Sequence, residues 1–311
     1  MNKIEKFLVA TDLTDQGTKA LEGAARLAKK YSVTLLALHV VEGFDERYEF
    51  VVDDINKKLE KDAEAAFADA VQPIERELQA RLRTSVKSGS PLEKIIGTQL
   101  EEQADVLVVG VGSGDAGAIE SGRLGPIART LAHTIPASML FVRGKLNMPL
   151  KNILVATDFS DCAADALRRA IELAKLHGVD TLTVVHAYSV PAPAPRYYKS
   201  VLTDEQLHER MRQFADRRFN EWIKPVETHG ITIRPVLLKD AASKAIADQA
   251  KAVNADLVVI GTHGRTSSSS VLLGSVAERV VRDAPCSVWA ERMPGRALGF
   301  ARAISRIMGV E

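Results

Sequence analysis

Cysteine is nearly absent from this chain of 311 residues: only Cys162 and Cys286 occur. Neither stands in a Cys-x-x-Cys or Cys/His cluster, so the sequence carries no redox motif and no zinc-type pattern, and both are read as packing residues. Long apolar runs are missing too. Nothing approaches the roughly 20 residues that cross a bilayer, and Met1-Asn-Lys-Ile-Glu-Lys6 leads into a strand-like run without a signal-peptide core. The expectation is a cytoplasmic protein that does not bind membrane. Charge of one sign is also lacking: 41 Lys and Arg against 40 Asp and Glu leave a net +1, which argues against wholesale attraction to nucleic acid. Three familiar phosphate loops are absent as well. There is no Gly-x4-Gly-Lys-[Ser/Thr], no Gly-x-Gly-x-x-Gly after a first strand, and no Ser-Gly-Gly after Ala156, where the chain reads Thr157-Asp-Phe-Ser160.

What is present is a repeat. Phe7-Leu-Val-Ala-Thr-Asp-Leu-Thr-Asp15 recurs as Ile153-Leu-Val-Ala-Thr-Asp-Phe-Ser-Asp161, and Lys19-Ala-Leu21 with Leu27-Ala-Lys29 recurs as Asp165-Ala-Leu167 with Leu173-Ala-Lys175. Later, Ala104-Asp-Val-Leu-Val-Val-Gly110 returns as Ala255-Asp-Leu-Val-Val-Ile-Gly261, and Pro136-Ala-Ser-Met-Leu140 as Pro285-Cys-Ser-Val-Trp289. Such self-similarity marks a tandem duplication. The length suits two domains, placed at 1–145 and 150–292 around the connector Arg143–Leu150. A tail over 293–311 carries Leu298, Ala301, Ile304 and Met308 at helical spacing, which suits docking on its own domain or on a partner.

Each copy alternates short runs of Val, Leu and Ile with helix-spaced stripes. Residues 7–10, 34–41, 106–109 and 138–142 read as strands buried on both faces of a parallel sheet. Thr14 is a candidate N-cap for a helix reaching Tyr31. A long helix fits 51–82, with Ile55, Leu59, Ala66, Phe67, Ile74 and Leu78 on its buried face and Pro73 as a break or kink; its counterpart fits 204–228, with Leu207, Met211, Phe214, Trp222 and Val226, interrupted at Pro225. Strand and helix in alternation mean βαβ units, and hence two tandem α/β Rossmann-like domains, each an open five-stranded parallel sheet with helices on both faces. In such sheets ligands bind beyond the C-terminal strand ends, where the strand order reverses.

One loop there is distinctive. Gly261-Thr-His-Gly264 leaves a buried run, and Gly274-Ser275 opens a helix after a serine-rich stretch, in the spacing Gly-x2-Gly-x9-Gly-Ser. Glycines allow positive φ and close approach of backbone to a ligand. The first amides of a helix lack internal partners and favour an anion, so a phosphate held by those amides and the Ser275 hydroxyl is physically reasonable.

With its surroundings, Ala255–Arg265, Leu272–Arg279 and Asp283–Val288, this loop resembles the ATP-binding branch of the universal stress protein family. That family has an adenine nucleotide alpha hydrolase-like fold, and the resemblance covers nearly the whole chain as two copies. It implies that Thr157 and Asp158 approach adenine or ribose and that Ala187 meets the adenine edge. It further implies that Gly261, His263, Gly264 and Arg265 line ribose and phosphates, with Gly274, Ser275 and Val276 on the phosphates. ATP is then the expected ligand, accompanied by magnesium or manganese, since Arg265 is the only nearby cation in sequence. Family members commonly pair through the last strand, which suggests an internal pseudo-dimer and leaves homodimerisation and further protein partners open.

The first copy departs from the pattern. Its equivalents are Thr11, Asp12, Val40, Gly110, Gly112 and Gly125, but its loop is longer, Asp115 and Glu120 add negative charge, and Pro126 replaces Ser275. Proline is welcome in a first helical turn yet gives a phosphate neither amide nor hydroxyl. A weak or empty first site is expected. Capping is preferred for Asp12 and stands level with ligand contact for Asp158, while His39 and His186 read as core or strand-end residues. Three functions follow: a non-enzymatic ATP-binding stress-response protein, a slow ATPase or nucleotide-dependent transferase, or an interaction protein whose nucleotide sites are vestigial.

Overall fold

A computed structural model describes residues 3–42, 49–78, 81–112, 124–188, 203–264 and 273–292. Its contacts divide the chain into two compact units, one holding the described residues up to Met148 and the other those from Pro149 to Arg292.

In the first unit the order is β1 (Lys6–Thr11), α1 (Asp15–Tyr31), β2 (Thr34–Val41), α2 (Glu49–Leu78), β3 (Leu82–Ser88), α3 (Pro91–Glu102), β4 (Val106–Val111), α4 (Pro126–Thr134) and β5 (Ser138–Arg143). The strands pair in parallel in the order β3-β2-β1-β4-β5. The second unit repeats the plan with β6 (Ile153–Ala156), α5 (Asp161–His177), β7 (Thr181–Tyr188), α6 (Asp204–Ile223), β8 (Thr232–Lys239), α7 (Ala242–Ala252), β9 (Leu257–Gly261), α8 (Ser275–Asp283) and β10 (Ser287–Glu291). Its strands run β8-β7-β6-β9-β10, again parallel. Each unit is therefore an open five-stranded sheet. Among the described residues no helix is long and apolar enough to cross a membrane.

The central strands are apolar because both faces are covered: Phe7, Leu8 and Val9 in β1, and Leu154, Val155, Val258 and Val259 in β6 and β9, have no exposed surface. Helices α1 and α5 lay alanine-rich faces on them and begin alike. Thr14 and Ser160 each accept an amide hydrogen bond from the residue three further on, Gly17 or Ala163, as side-chain N-caps.

Two helical expectations need correction. Helix α2 passes through Pro73 and stops at Leu78, leaving room for β3. Pro73 and Asp69, whose carbonyl loses its partner, both lie on the exposed side, where water can satisfy that oxygen. The buried face is also placed differently. Phe67, Val71 and Ile74 are buried, whereas Ile55 and Leu59 are 47% and 38% exposed, and Ala66 is exposed as well. In α6, which ends at Ile223, Phe214 faces solvent while Ala215 and Phe219 are buried.

Candidate functional site

In the second unit the chain leaves β6 toward β7 on one side, and β9 lies on the other. Strand order reverses between β6 and β9, so their C-terminal ends diverge and open a crevice. A cleft with about 730 Å3 of space, its open mouth included, sits there. Its lining includes Thr157 and Asp158 after β6, Ala187 in β7, Gly261, His263 and Gly264 at the end of β9, and Gly274, Ser275 and Val276 at the start of α8. These are the residues singled out in the sequence for this half, Arg265 excepted. Arg265, the serines at 267–270 and the tail at 293–311 lie outside the described residues.

The walls differ in chemistry. Ala156, Ala187, Ala242, Ile246 and Ile260 make one part apolar, and Asp158, Ser275 and the first turn of α8 make another polar. Ala242 and Ile246 escaped the sequence reading because they come from α7, far in sequence from the glycine loop. Ala156, Ala163, Ile260, Thr262 and Ala277 also line the cleft and adjoin residues already singled out.

The glycines act by close approach. Neither Gly261 nor Gly264 has positive φ, against the first expectation. A Cβ on Gly261 would lie 2.9 Å from the carbonyl carbon and 3.0 Å from the oxygen of Cys162, so the end of β9 can pass the start of α5 only as glycine. A Cβ on Gly264 would lie 2.8 Å from Asp158 Oδ2. Thr262 fixes the base of the loop: its carbonyl accepts the Gly274 amide at 2.7 Å, and its own amide donates to Glu291 O at 2.9 Å. The start of α8 is thereby held beside the end of β9. Thr262 Oγ1 also lies 2.8 Å from His263 Nδ1. Behind it, burial pushes the Cys162 thiol up from its ordinary value, which keeps it protonated as a packing group.

Asp158 Oδ1 accepts the Ser160 amide at 3.1 Å, while Oδ2 points toward Gly264. In the first unit Asp12 Oδ1 accepts both the amide of Thr14, at 3.1 Å, and its hydroxyl, at 2.7 Å. That oxygen lies 2.4 Å from where a Cβ of Gly17 would stand. Ala163 occupies the matching position in the second copy. Both aspartates thus accept the amide two residues on, while Asp12 Oδ1 accepts the Thr14 hydroxyl as well and Asp158 Oδ2 faces Gly264.

Thr11, Asp12, Val40, Gly110 and Gly112 gather at the ends of β1, β2 and β4, with Gly125 as the residue before α4. Gly110 is packed, since a Cβ would meet Gln16 O at 3.0 Å, but at Gly112 and Gly125 it would meet nothing within 4 Å among the described residues. Pro126 is the first residue of α4. Asp115 and Glu120 lie outside the described residues. His39 and His186 take matching roles, each ring Nδ1–H donating to the carbonyl of Thr11 or Thr157, at 2.9 and 2.8 Å.

The model of the universal stress protein family matches residues 3–143 and 149–292, nearly the whole chain. The chain belongs to the universal stress protein family. Among curated proteins, a universal stress protein of Methanocaldococcus jannaschii is 31% identical over 149 residues, 46% of this chain and 83% of that one. A putative universal stress protein of Staphylococcus aureus strain USA300 is 33% identical over 141 residues, 44% and 81% of the two chains. Among solved structures, a universal stress protein from Archaeoglobus fulgidus superposes with a TM-score of 0.66 at 22% identity, covering 92% of this chain and 98% of its own. A putative universal stress protein from Pseudomonas aeruginosa UCBPP-PA14 gives 0.61 at 20%, covering 97% and 98%. At these identities the superpositions speak of the fold, and they extend it over both halves of this universal stress protein.

Proposed function

We propose that this tandem universal stress protein binds one adenine nucleotide, ATP, in its second unit, and that it acts in the stress response through nucleotide occupancy and contacts with other proteins. The observation that supports this reading most is the gathering of Asp158, Ala187, Gly264 and the open start of α8 around one cleft. The chemistry fits the ligand. An apolar wall suits a purine, a carboxylate suits ribose hydroxyls, and unpartnered helix-start amides suit phosphates. Among the described residues no group of three His, Cys, Asp or Glu could hold a metal. Magnesium or manganese would then arrive on the phosphates, with Asp158 and Ser275 among the side chains of the cleft lining that offer oxygen.

The test is to identify nucleotide released by denaturing freshly purified protein, then to titrate ATP with magnesium. The expected result is saturable binding that Gly274→Val removes; no binding, or binding unchanged by that substitution, sinks the reading. Turnover is a second reading, for which Asp158 and His263 both line the cleft. Phosphate release that disappears in Asp158→Ala and Ser275→Ala would establish it.

A further inference from the structure

The rim of the cleft rests on a conformation that few side chains adopt. Phe159, directly after Asp158, has φ of 66°, the left-handed region that costs a non-glycine residue on the order of 1 kcal/mol or more and persists only where its surroundings enforce it. The Phe159 amide donates to Thr157 Oγ1 at 3.0 Å, as the Leu13 amide does to Thr11 Oγ1 at 3.1 Å in the first copy, and in the second copy rings add to this hold. Phe159 lies against His186 with centroids 4.1 Å apart, and against Trp222 and Phe219 of α6 at 6.0 and 6.4 Å. Two of these rings also grip the backbone. His186 Nδ1–H donates to Thr157 O, and Trp222 Nε1–H donates to Ser160 O at 3.3 Å. Ser160 O already accepts the Ala164 amide at 3.0 Å, so the indole uses its second lone pair. The carbonyls on either side of Asp158 and Phe159 are thus held from β7 and from α6.

We infer that Trp222 is a positioning residue for Asp158, and that α6 registers whether the cleft is filled. This rests on the nucleotide reading above, and it adds a route by which occupancy reaches a surface helix. Only part of α6 is buried, with Ala215 and Phe219 inside and Phe214 50% exposed. A shift of the Asp158 main chain on meeting a ligand carries Phe159 and Ser160 with it, and both touch Trp222. The first copy keeps the left-handed residue, Leu13 at 61°, and the histidine bond to Thr11 O. It has leucine where the second has the Phe159 ring.

The experiment uses the full chain labelled with 5-fluorotryptophan. Trp222 and Trp289 are its two tryptophans, and Trp222→Phe identifies the Trp222 resonance by its absence. Equilibrium dialysis measures ATP binding independently. The expected result is a Trp222 resonance that moves on adding ATP, with Trp222→Phe weakening ATP binding about three- to tenfold, the scale of one hydrogen bond lost beside a retained ring. In an Asp158→Ala background the same substitution should add little, because its effect passes through Asp158; a merely structural role would give equal losses in both backgrounds. If Trp222→Phe folds poorly, Phe159→Leu, the residue of the first copy, should produce the weakening instead. ATP binding with an unmoved Trp222 resonance, or equal losses in both backgrounds, overturns the inference. Failure of the wild-type chain to bind ATP by dialysis overturns the nucleotide reading and this inference with it.

Discussion

Gly261, Gly264 and Gly112 look interchangeable in sequence, yet each meets a different neighbour. An alanine methyl at Gly261 collides with the Cys162 main chain, which belongs to the first turn of a packed helix and cannot step aside. Gly261→Ala should cost about 1–3 kcal/mol in a denaturant melt, the usual cost of overpacking. At Gly264 the methyl meets the end of the Asp158 side chain, which can rotate. Gly264→Ala should therefore melt like wild type while its ATP affinity falls. Gly112→Ala meets nothing within 4 Å among the described residues and should change neither property. Equal effects from all three would show that close approach is not what selects glycine here.

Among the elements, α4 and α8 carry the asymmetry between the copies. Both start after a glycine, Gly125 or Gly274, but α4 opens on Pro126 and α8 on Ser275. Proline is well tolerated at that first position. Ser275→Pro should hold stability within about 1 kcal/mol of wild type and abolish ATP binding, read by thermal melting and calorimetry on the same sample. Retained binding would remove the first-turn amide and hydroxyl from the account. The same contrast shows how far the elements could be read in advance. Strands such as β1, β6 and β9 announce themselves because both faces are apolar. Strands β3 and β8 do not, since each pairs on one side only and carries polar or exposed residues such as Arg83, Thr84, Arg234 and Pro235. Helical stripes in α2 and α6 were legible as helix but not as burial. Packing of the described α2 side chains starts late, leaving Ile55 and Leu59 outside, and in α6 the buried face is one residue away from Phe214.

For the whole molecule, duplication supplied two copies of one fold, and their glycine loops have diverged, with Pro126 where the second copy has Ser275. The repeat was legible from matched runs alone, and so was most of the second cleft, because its residues flank strands in recognisable motifs. Two things were not. Ala242 and Ile246 reach the cleft through the tertiary course of α7, and the extra hydroxyl bond from Thr14 to Asp12 is set by side-chain rotation at the helix start. One nucleotide per chain is therefore the expected count. Native mass spectrometry of the full chain with excess ATP and magnesium should show one nucleotide per chain, lost in Gly274→Val and kept in Gly125→Val. Two nucleotides per chain, none, or loss in Gly125→Val alone would contradict it.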